Sequence, residues 1–391
     1  MNHWLTCCLC VMHCLTLNAD EGSWHRHTID ASSRGADGVR IGDVNQDGRT
    51  DLVTGWEEGG QVRVCLQPEA ANVKAPWPSI LVGQVRSPED AVFADVNGDG
   101  WLDVVSCCEG KQQAVFFHIN PGKQELLDPA AWQTRILEPS SGRTRWMFCE
   151  PLKSGELIFG SKEPAAEIAI WNPNQPTVLT RLRSSGWIMS LRSHDLDNDG
   201  DADVIYSDRK GEHRGVGWLE NPGRTESAWQ DHLIGGRHLE VMFLDVSNVS
   251  SQLRIVCNTR AGYLLDFSAP HSMADPWNPT KIAHPKNVGD GKGVAVCDVD
   301  GDGQQDVVCT CEHAEGKVGA YWLKRPLTAD ADSVRPQQWL FNDISGSEQG
   351  VKFDRIQMMD IDGDGDMDLV TCEERDNLGV VWYENPATDR P

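Results

Sequence analysis

The sequence predicts an all-β, seven-bladed β-propeller of four-stranded blades, closed by an N-terminal strand that completes the last blade. Three observations predict it. Five acidic nonapeptides are nearly superposable: DVNQDGRTD from Asp43, DVNGDGWLD from Asp95, DLDNDGDAD from Asp195, DVDGDGQQD from Asp298 and DIDGDGDMD from Asp360. Each stands between apolar, β-type runs, and two further strand patterns recur behind it, so the unit is four short strands of roughly 50 residues. At the start of the chain, SWHRHTID is a Trp-led outer-strand segment, and the last unit stops at VVWYENP without one.

The elements follow in chain order. Trp4 to Leu17 (WLTCCLCVMHCLTL) is apolar but shorter than the roughly 20 residues a spanning helix needs. With small residues ending near Ala19 it reads as a secretory signal peptide over 1–19, which predicts a secreted, periplasmic or cell-envelope protein. Residues 20–391 are then expected to form one domain. Within each unit the innermost strand (VRIG, AVFA, IMSL, VAVC, IQMM) precedes the acidic loop, and the second (LVTGW, VVSCC, VIYSD, VVCTC, LVTCE) follows it. The third strand ends in a turn (VRVCLQP, VFFHINP, VGWLENP, AYWLKRP, VVWYENP), and the fourth is Trp-led (PWPSILV, AWQTRIL, AWQDHLI, QQWLFNDI).

The spacing from Asp95 to Asp195 is twice the usual interval, and RWMFCEPLKSGELIFGSKEPAAEIAIWNP fills it as a worn unit near residue 150 with an acid-poor loop. A second worn unit, MFLDVSNVSSQLRIVCNTRAGYLLDFSAP, is expected to open its loop at Asp245, with Ser247, Val249 and Leu253 where carboxylates would stand. That makes seven. Units of this kind pack as blades around a central channel, and a strand around Trp24 to Ile29 in the final blade covers the sheet edges that an open array would expose.

Composition narrows the function classes. With 59 acidic against 35 basic side chains the formal net charge is −24, which disfavours a sequence-independent grip on nucleic acid or on anionic lipid. Hydrophobic content of 39%, with 37 Gly and 20 Pro, is too low and too punctuated for a multispan membrane protein, and 15 Trp are too many for a disordered chain. Of 13 Cys, four (Cys7, Cys8, Cys10 and Cys14) fall in the leader. The remainder sit mostly in apolar runs such as VVSCC and VVCTC, as small buried hydrophobes with at most one disulfide. No G-x-S-x-G elbow, phosphate-cradling Gly loop or H-E-x-x-H occurs.

The acidic loops carry the chemistry. D-x-[DN]-x-D-G-x-x-D places oxygen donors at positions 1, 3, 5 and 9, with a Gly at 6 that permits a sharp turn and lets position 7 offer its carbonyl. Carboxylates this dense repel one another unless a cation holds them, and an oxygen-only set of this size favours Ca²⁺. The expected side-chain ligands are Asp43, Asn45, Asp47 and Asp51; Asp95, Asn97, Asp99 and Asp103; Asp195, Asp197, Asp199 and Asp203; Asp298, Asp300, Asp302 and Asp306; and Asp360, Asp362, Asp364 and Asp368. The carbonyls of Arg49, Trp101, Asp201, Gln304 and Asp366 complete the set. An EF-hand fails, because position 12 is Thr54, Ser106, Tyr206, Cys309 or Thr371 rather than Glu, and β-type sequence follows. About five calcium ions are expected, with a structural role.

These repeats resemble the FG-GAP/VCBS family, whose seven-bladed propeller is similar to the N-terminal head of integrin α chains; the W-x-E-N-P elements (Trp218 to Pro222, Trp382 to Pro386) look like those of secreted bacterial members. If the loops join first to second strands, the second-to-third hairpins lie on the opposite face. There Glu57, Glu109, Glu312, His313, Glu374 and Arg260, with Arg145, His238, Lys352 and Arg355 from inter-blade connections, are candidate ligand-face residues. The expected function is a monomeric, secreted, calcium-binding scaffold for an extracellular protein or polysaccharide, with no nucleic-acid partner and no membrane insertion. The alternative is a carbohydrate-active enzyme, a polysaccharide lyase or sugar dehydratase, using acids and bases of that same face.

Overall fold

The computed structural model describes residues 23–223, 228–249, 252–273, 275–326 and 339–386; the expected signal peptide over 1–19 lies outside them. Seven four-stranded antiparallel sheets follow one another around a ring. Blade 1 runs through Ala36–Gly42, Asp51–Trp56, Gln61–Cys65 and Ser79–Gln84. The innermost strands of blades 2 to 7 are Pro88–Ala94, Arg145–Pro151, Ile188–His194, Val241–Val249, Asp290–Cys297 and Gln357–Met359. Among the described residues there is no α-helix, only two three-residue 3₁₀ turns, and no helix is long and apolar enough to cross a membrane.

Closure takes the predicted form. Blade 7 draws three strands from the C-terminal region and its fourth, His25–Asp30, from the N-terminal region, antiparallel to Gly379–Glu384 with His27 opposite Trp382. The seam is tied on both sides: the Trp24 N–H donates to Ile344 O at 2.9 Å, and the Trp77 N–H donates to Ile29 O at 2.9 Å.

The apolar alternation of each strand builds the core between blades. Seven buried clusters form, one for each seam, such as Val53, Val64, Val104 and Phe116 between blades 1 and 2, and Leu52, Trp56, Val370 and Trp382 between blades 7 and 1. Trp77, Trp132 and Trp277, from segments leading into fourth strands, are buried in these seams. The indole N–H of Trp77 donates to Val73 O at 3.0 Å and that of Trp132 to Leu126 O at 2.9 Å, which removes the cost of burying a lone donor. Nine cysteines lie among the described residues; all are free, and all but Cys297 are buried.

The two worn blades lack the acidic loop. In blade 3 a tight turn closed by Leu152 N to Glu156 O at 2.8 Å replaces it. In blade 5 one expectation is corrected: no loop opens at Asp245. The strand continues to Val249, with Asp245 opposite Val256, and returns at Gln252. Without a carboxylate set to wrap around, the backbone keeps its ladder, and Asp245 instead accepts Val296 N–H at 3.0 Å and faces Arg192 at 3.6 Å.

Candidate functional site

All five acidic loops join an innermost strand to the second strand of its blade. Each needs two left-handed residues. Position 4 has φ of 56° at Gln46, 75° at Gly98, 63° at Asn198, 72° at Gly301 and 81° at Gly363, and position 6 is Gly throughout, with φ between 83° and 99°. Nothing crowds an added Cβ at these position-6 glycines, so backbone conformation rather than space demands them. The loop then folds around its own first carboxylate: Asp43 accepts the N–H of Asp47 at 3.0 Å and of Gly48 at 2.9 Å. Asp95, Asp195, Asp298 and Asp360 accept the position-6 N–H likewise. Position 5 accepts the position-7 N–H, as Asp47 does from Arg49 at 2.9 Å.

Position 9 works differently from positions 1, 3 and 5. Asp51, Asp103, Asp203, Asp306 and Asp368 are buried, and each spends one oxygen on the position-2 N–H of its loop and the other on the backbone N–H that ends the third strand. Burial outweighs those two bonds. It pushes the carboxyls of Asp51, Asp103, Asp203 and Asp306 up to about 6 and that of Asp368 to about 7. Each oxygen keeps a second lone pair for a cation.

In three blades the residue whose N–H donates this second bond is also a bridge between blades, which sequence reasoning missed. Asn120 Nδ2 donates to Val44 O of blade 1 at 3.3 Å, Asn385 Nδ2 to Val299 O of blade 6 at 2.8 Å, and Gln67 Nε2 to Ile361 O of blade 7 at 3.2 Å. In every case the acceptor is position 2 of the preceding blade's acidic loop. The bridge occurs where both neighbours carry a loop. Asn221, whose preceding blade is worn, donates from Nδ2 to its own Ala202 O at 3.0 Å and has no acceptor in that blade among the described residues.

Carboxylate oxygens converge within 4.8 Å in three of the loops: Asp195, Asp197 and Asp199; Asp298, Asp300 and Asp302; and Asp360, Asp362 and Asp368. The first two loops have Asn at position 3, whose Nδ2 donates to position 5 (Asn45 to Asp47 at 3.0 Å, Asn97 to Asp99 at 2.9 Å). The donors are oxygen throughout, so the set fits a hard cation. Side-chain cations already reach three loops: Lys324 pairs with Asp300 and with Asp302, Arg49 pairs with Asp47, and Lys74 lies 3.5 Å from Asp362. Hydrogen bonds to Asp300 and Asp302 raise the Lys324 pKa.

On the other face a belt of charges surrounds the channel mouth. Lys162 pairs with Glu109, Lys352 with Glu374, Lys292 with Asp354, and Arg260 with Glu312. Asp37, Glu57 and Glu89 bring carboxylate oxygens within 4.8 Å of one another among them. Burial, then Asp354 and Glu89, holds the Asp37 carboxyl well above its ordinary range; burial, then Glu109, raises Glu57 and lifts Glu89 to about 8. Asp37 and Glu89 were not singled out from the sequence, because nothing in GADGVR or SPEDAVFA distinguishes a channel-mouth strand end from any other.

The remaining candidates lie elsewhere. His313 is exposed, with Nδ1 2.9 Å from Asp290. His238 is exposed at φ 71°, and its carbonyl accepts from Arg214 at 3.0 Å. Arg355 differs from its expected place on the face. It is 2% exposed, with its guanidinium 5.0 Å from the Phe148 ring centre and 4.9 Å from that of Phe243, and its nitrogens have no hydrogen-bond partner among the described residues. Burial, then Arg40, lowers its pKa to about 9. Arg145 lines a separate pocket with Lys162 and Trp187.

Residues 43–106 and 298–371 match the family model of the FG-GAP-like repeat. Together with seven closed blades, this makes the chain a seven-bladed β-propeller that carries FG-GAP-like repeats, a fold consistent with the FG-GAP propeller of the integrin α N-terminal head. Among solved structures it is similar to BBS1N in the crystal structure of BBS1N in complex with ARL6DN, soaked with lead. The TM-score there is 0.56 at 9% identity, covering 93% of this chain and 96% of that one. The same complex soaked with mercury gives a TM-score of 0.52 at 9% identity, covering 93% and 97%. At that identity the likeness concerns the fold. No curated protein matches the sequence.

Proposed function

We propose that this propeller is a secreted, calcium-binding scaffold that recognises an extracellular protein or polysaccharide through the face opposite its acidic loops. The observation that carries this reading is the division of labour between the two faces. One face holds five oxygen-lined turns, with amide bonds crossing to the neighbouring blade at three of the seams, and the other gathers acids and bases from several blades at one channel mouth. Convergent groups of mixed charge on a rigid ring suit recognition. The BBS1N propeller is in complex with a protein, ARL6DN, which supports a fold able to carry such a partner.

Calcium would be held by the side-chain oxygens of positions 1, 3 and 5, with position 9 already aimed by two backbone N–H groups. It would supply charge neutralisation to turns that otherwise rely on Lys324, Arg49 and Lys74. Five dications would cancel ten of the 24 net negative charges. The test is an array of glycans and extracellular proteins probed with calcium-loaded protein and with a Lys162→Ala, Lys352→Ala variant. Binding by the parent that the variant loses is expected. Binding that survives in this variant and disappears when an acidic loop is changed would contradict the assignment of the face. Export is tested by N-terminal sequencing of the protein recovered outside the cytoplasm, which should begin near residue 20.

A further inference from the structure

A pocket of about 140 Å³ lies on the opposite face between blades 3 and 4, lined by Arg145, Lys162, Glu163, Gly186, Trp187 and Lys210. Its construction is cationic. Lys162 Nζ stands 4.7 Å from the ring centre of Trp187, Lys210 Nζ 4.8 Å, and Arg209 Cζ 4.7 Å. The backbone holds the indole in place, since the Trp187 N–H donates to Asp208 Oδ1 at 2.9 Å and its carbonyl accepts from Arg209 at 2.7 Å.

Two of the four cations are neutralised: Lys162 by Glu109, and Arg209 by Glu240 at 2.8 Å. Arg145 and Lys210 have no carboxylate within ion-pair distance among the described residues, and the buried indole Nε1–H of Trp187 has no acceptor. A protein of net charge −24 has concentrated unpaired positive charge at one concave point. Such a point is most favourable for an oxyanion, because charge-assisted bonds to it are roughly twice as strong as neutral ones. The ring of Trp187 is covered by ammonium and guanidinium groups, so it acts as their platform rather than as an open stacking surface for a neutral sugar.

We propose that this pocket is a specific site for the oxyanion of an acidic sugar, a carboxylate or a sulfate ester on a unit of monosaccharide size. This deepens the reading of the face as a binding surface and rests on it. The pocket is small, and the overall negative charge opposes a long polyanion, so recognition is of a single acidic residue rather than of a charged backbone.

The test is ¹⁹F NMR of 5-fluorotryptophan-labelled protein, with the Trp187 signal assigned through Trp187→Phe. Sodium glucuronate, sodium sulfate and glucose are titrated at ionic strength held constant with sodium chloride. A saturable shift of the Trp187 signal with glucuronate or sulfate is expected, and none with glucose. Glucuronate alone would mark a carboxylate site, and sulfate alone a sulfate-ester site. Lys210→Ala and Arg145→Ala, each checked for an unchanged melting temperature, should weaken the response about tenfold. No saturable shift with either anion, or an equal shift in both variants, overturns the proposal. An array signal that persists in the Arg145→Ala, Lys210→Ala protein would remove this pocket from the binding surface and leave the opposite-face reading standing. A titrating pocket with no array signal would do the reverse.

Discussion

Asn120, Asn385 and Gln67 each do three things at once. The backbone N–H completes the position-9 carboxylate, the side chain ends its own blade's turn, and the amide crosses to the preceding blade's loop. Asn120→Ala or Asn385→Ala would each remove the amide donor from one buried and one part-buried carbonyl. Each should therefore cost about 1–3 kcal/mol in denaturant unfolding. Asn221→Ala, which breaks no inter-blade bond, should cost less. Equal losses at Asn221 and Asn120 would show that the crossing bond contributes nothing. His118 gives a second expectation at this scale. It is fully buried between Ser106 Oγ and Thr134 Oγ1, both at 2.9 Å, against Gly83, where any Cβ would strike its ring. Burial lowers its pKa to about 3. Below about pH 6.5 the unfolded chain takes up a proton that the folded chain refuses, so stability falls with acidification, by about 1.4 kcal/mol per pH unit. Relative to His118→Gln, the parent should lose about 2 kcal/mol more between pH 6.5 and pH 5 in urea melts. Parallel losses would contradict the neutral buried imidazole.

At the scale of elements, the acidic loops were legible in the sequence almost residue by residue. Their conformation is set locally, by a Gly at positive φ and by carboxylates that fold back on nearby N–H groups. What depended on the ring was hidden. The inter-blade amide bonds join residues as distant as Gln67 and Ile361, and no spacing rule within one repeat encodes that meeting. Asp245 misled for the opposite reason: it opens a plausible loop, but with Ser247 in place of a carboxylate the cheaper outcome is a continued ladder. Arg355 and Asp37 likewise sit where strand ends converge, a property of closure rather than of composition. Lys324 makes a separate prediction. It sits on Asp300 and Asp302, so an incoming dication must displace it. Lys324→Met should tighten the blade 6 loop about fivefold for calcium by calorimetry, roughly 1 kcal/mol. Weaker binding would mean that the lysine supports the loop instead of competing for it.

For the molecule as a whole, stability rests on closure and on the seven seams together. The strand His25–Asp30 supplies Ile29 to the seam between blades 7 and 1, pairs along Gly379–Glu384, and is tied through Trp24 to blade 6. Deleting residues 23–30 should expose an unpaired edge and lower the melting temperature sharply, with self-association in light scattering. An unchanged monomer would show that the ring does not depend on this strand. The charge distribution belongs to the same scale: acidic turns gather on one face, while the other face carries both the balanced belt and Arg145 and Lys210, which have no carboxylate partner among the described residues.

The central claim is that the acidic loops are cation sites whose occupancy secures the ring through their position-9 carboxylates and inter-blade amides. Thermal unfolding of the protein in excess calcium and in excess chelator tests it most directly. The account predicts a fall in melting temperature on the order of 10 °C when calcium is withdrawn, restored by calcium and not by sodium. Melting temperatures that agree within about 1 °C, at concentrations where site binding would register as stabilisation, would contradict it.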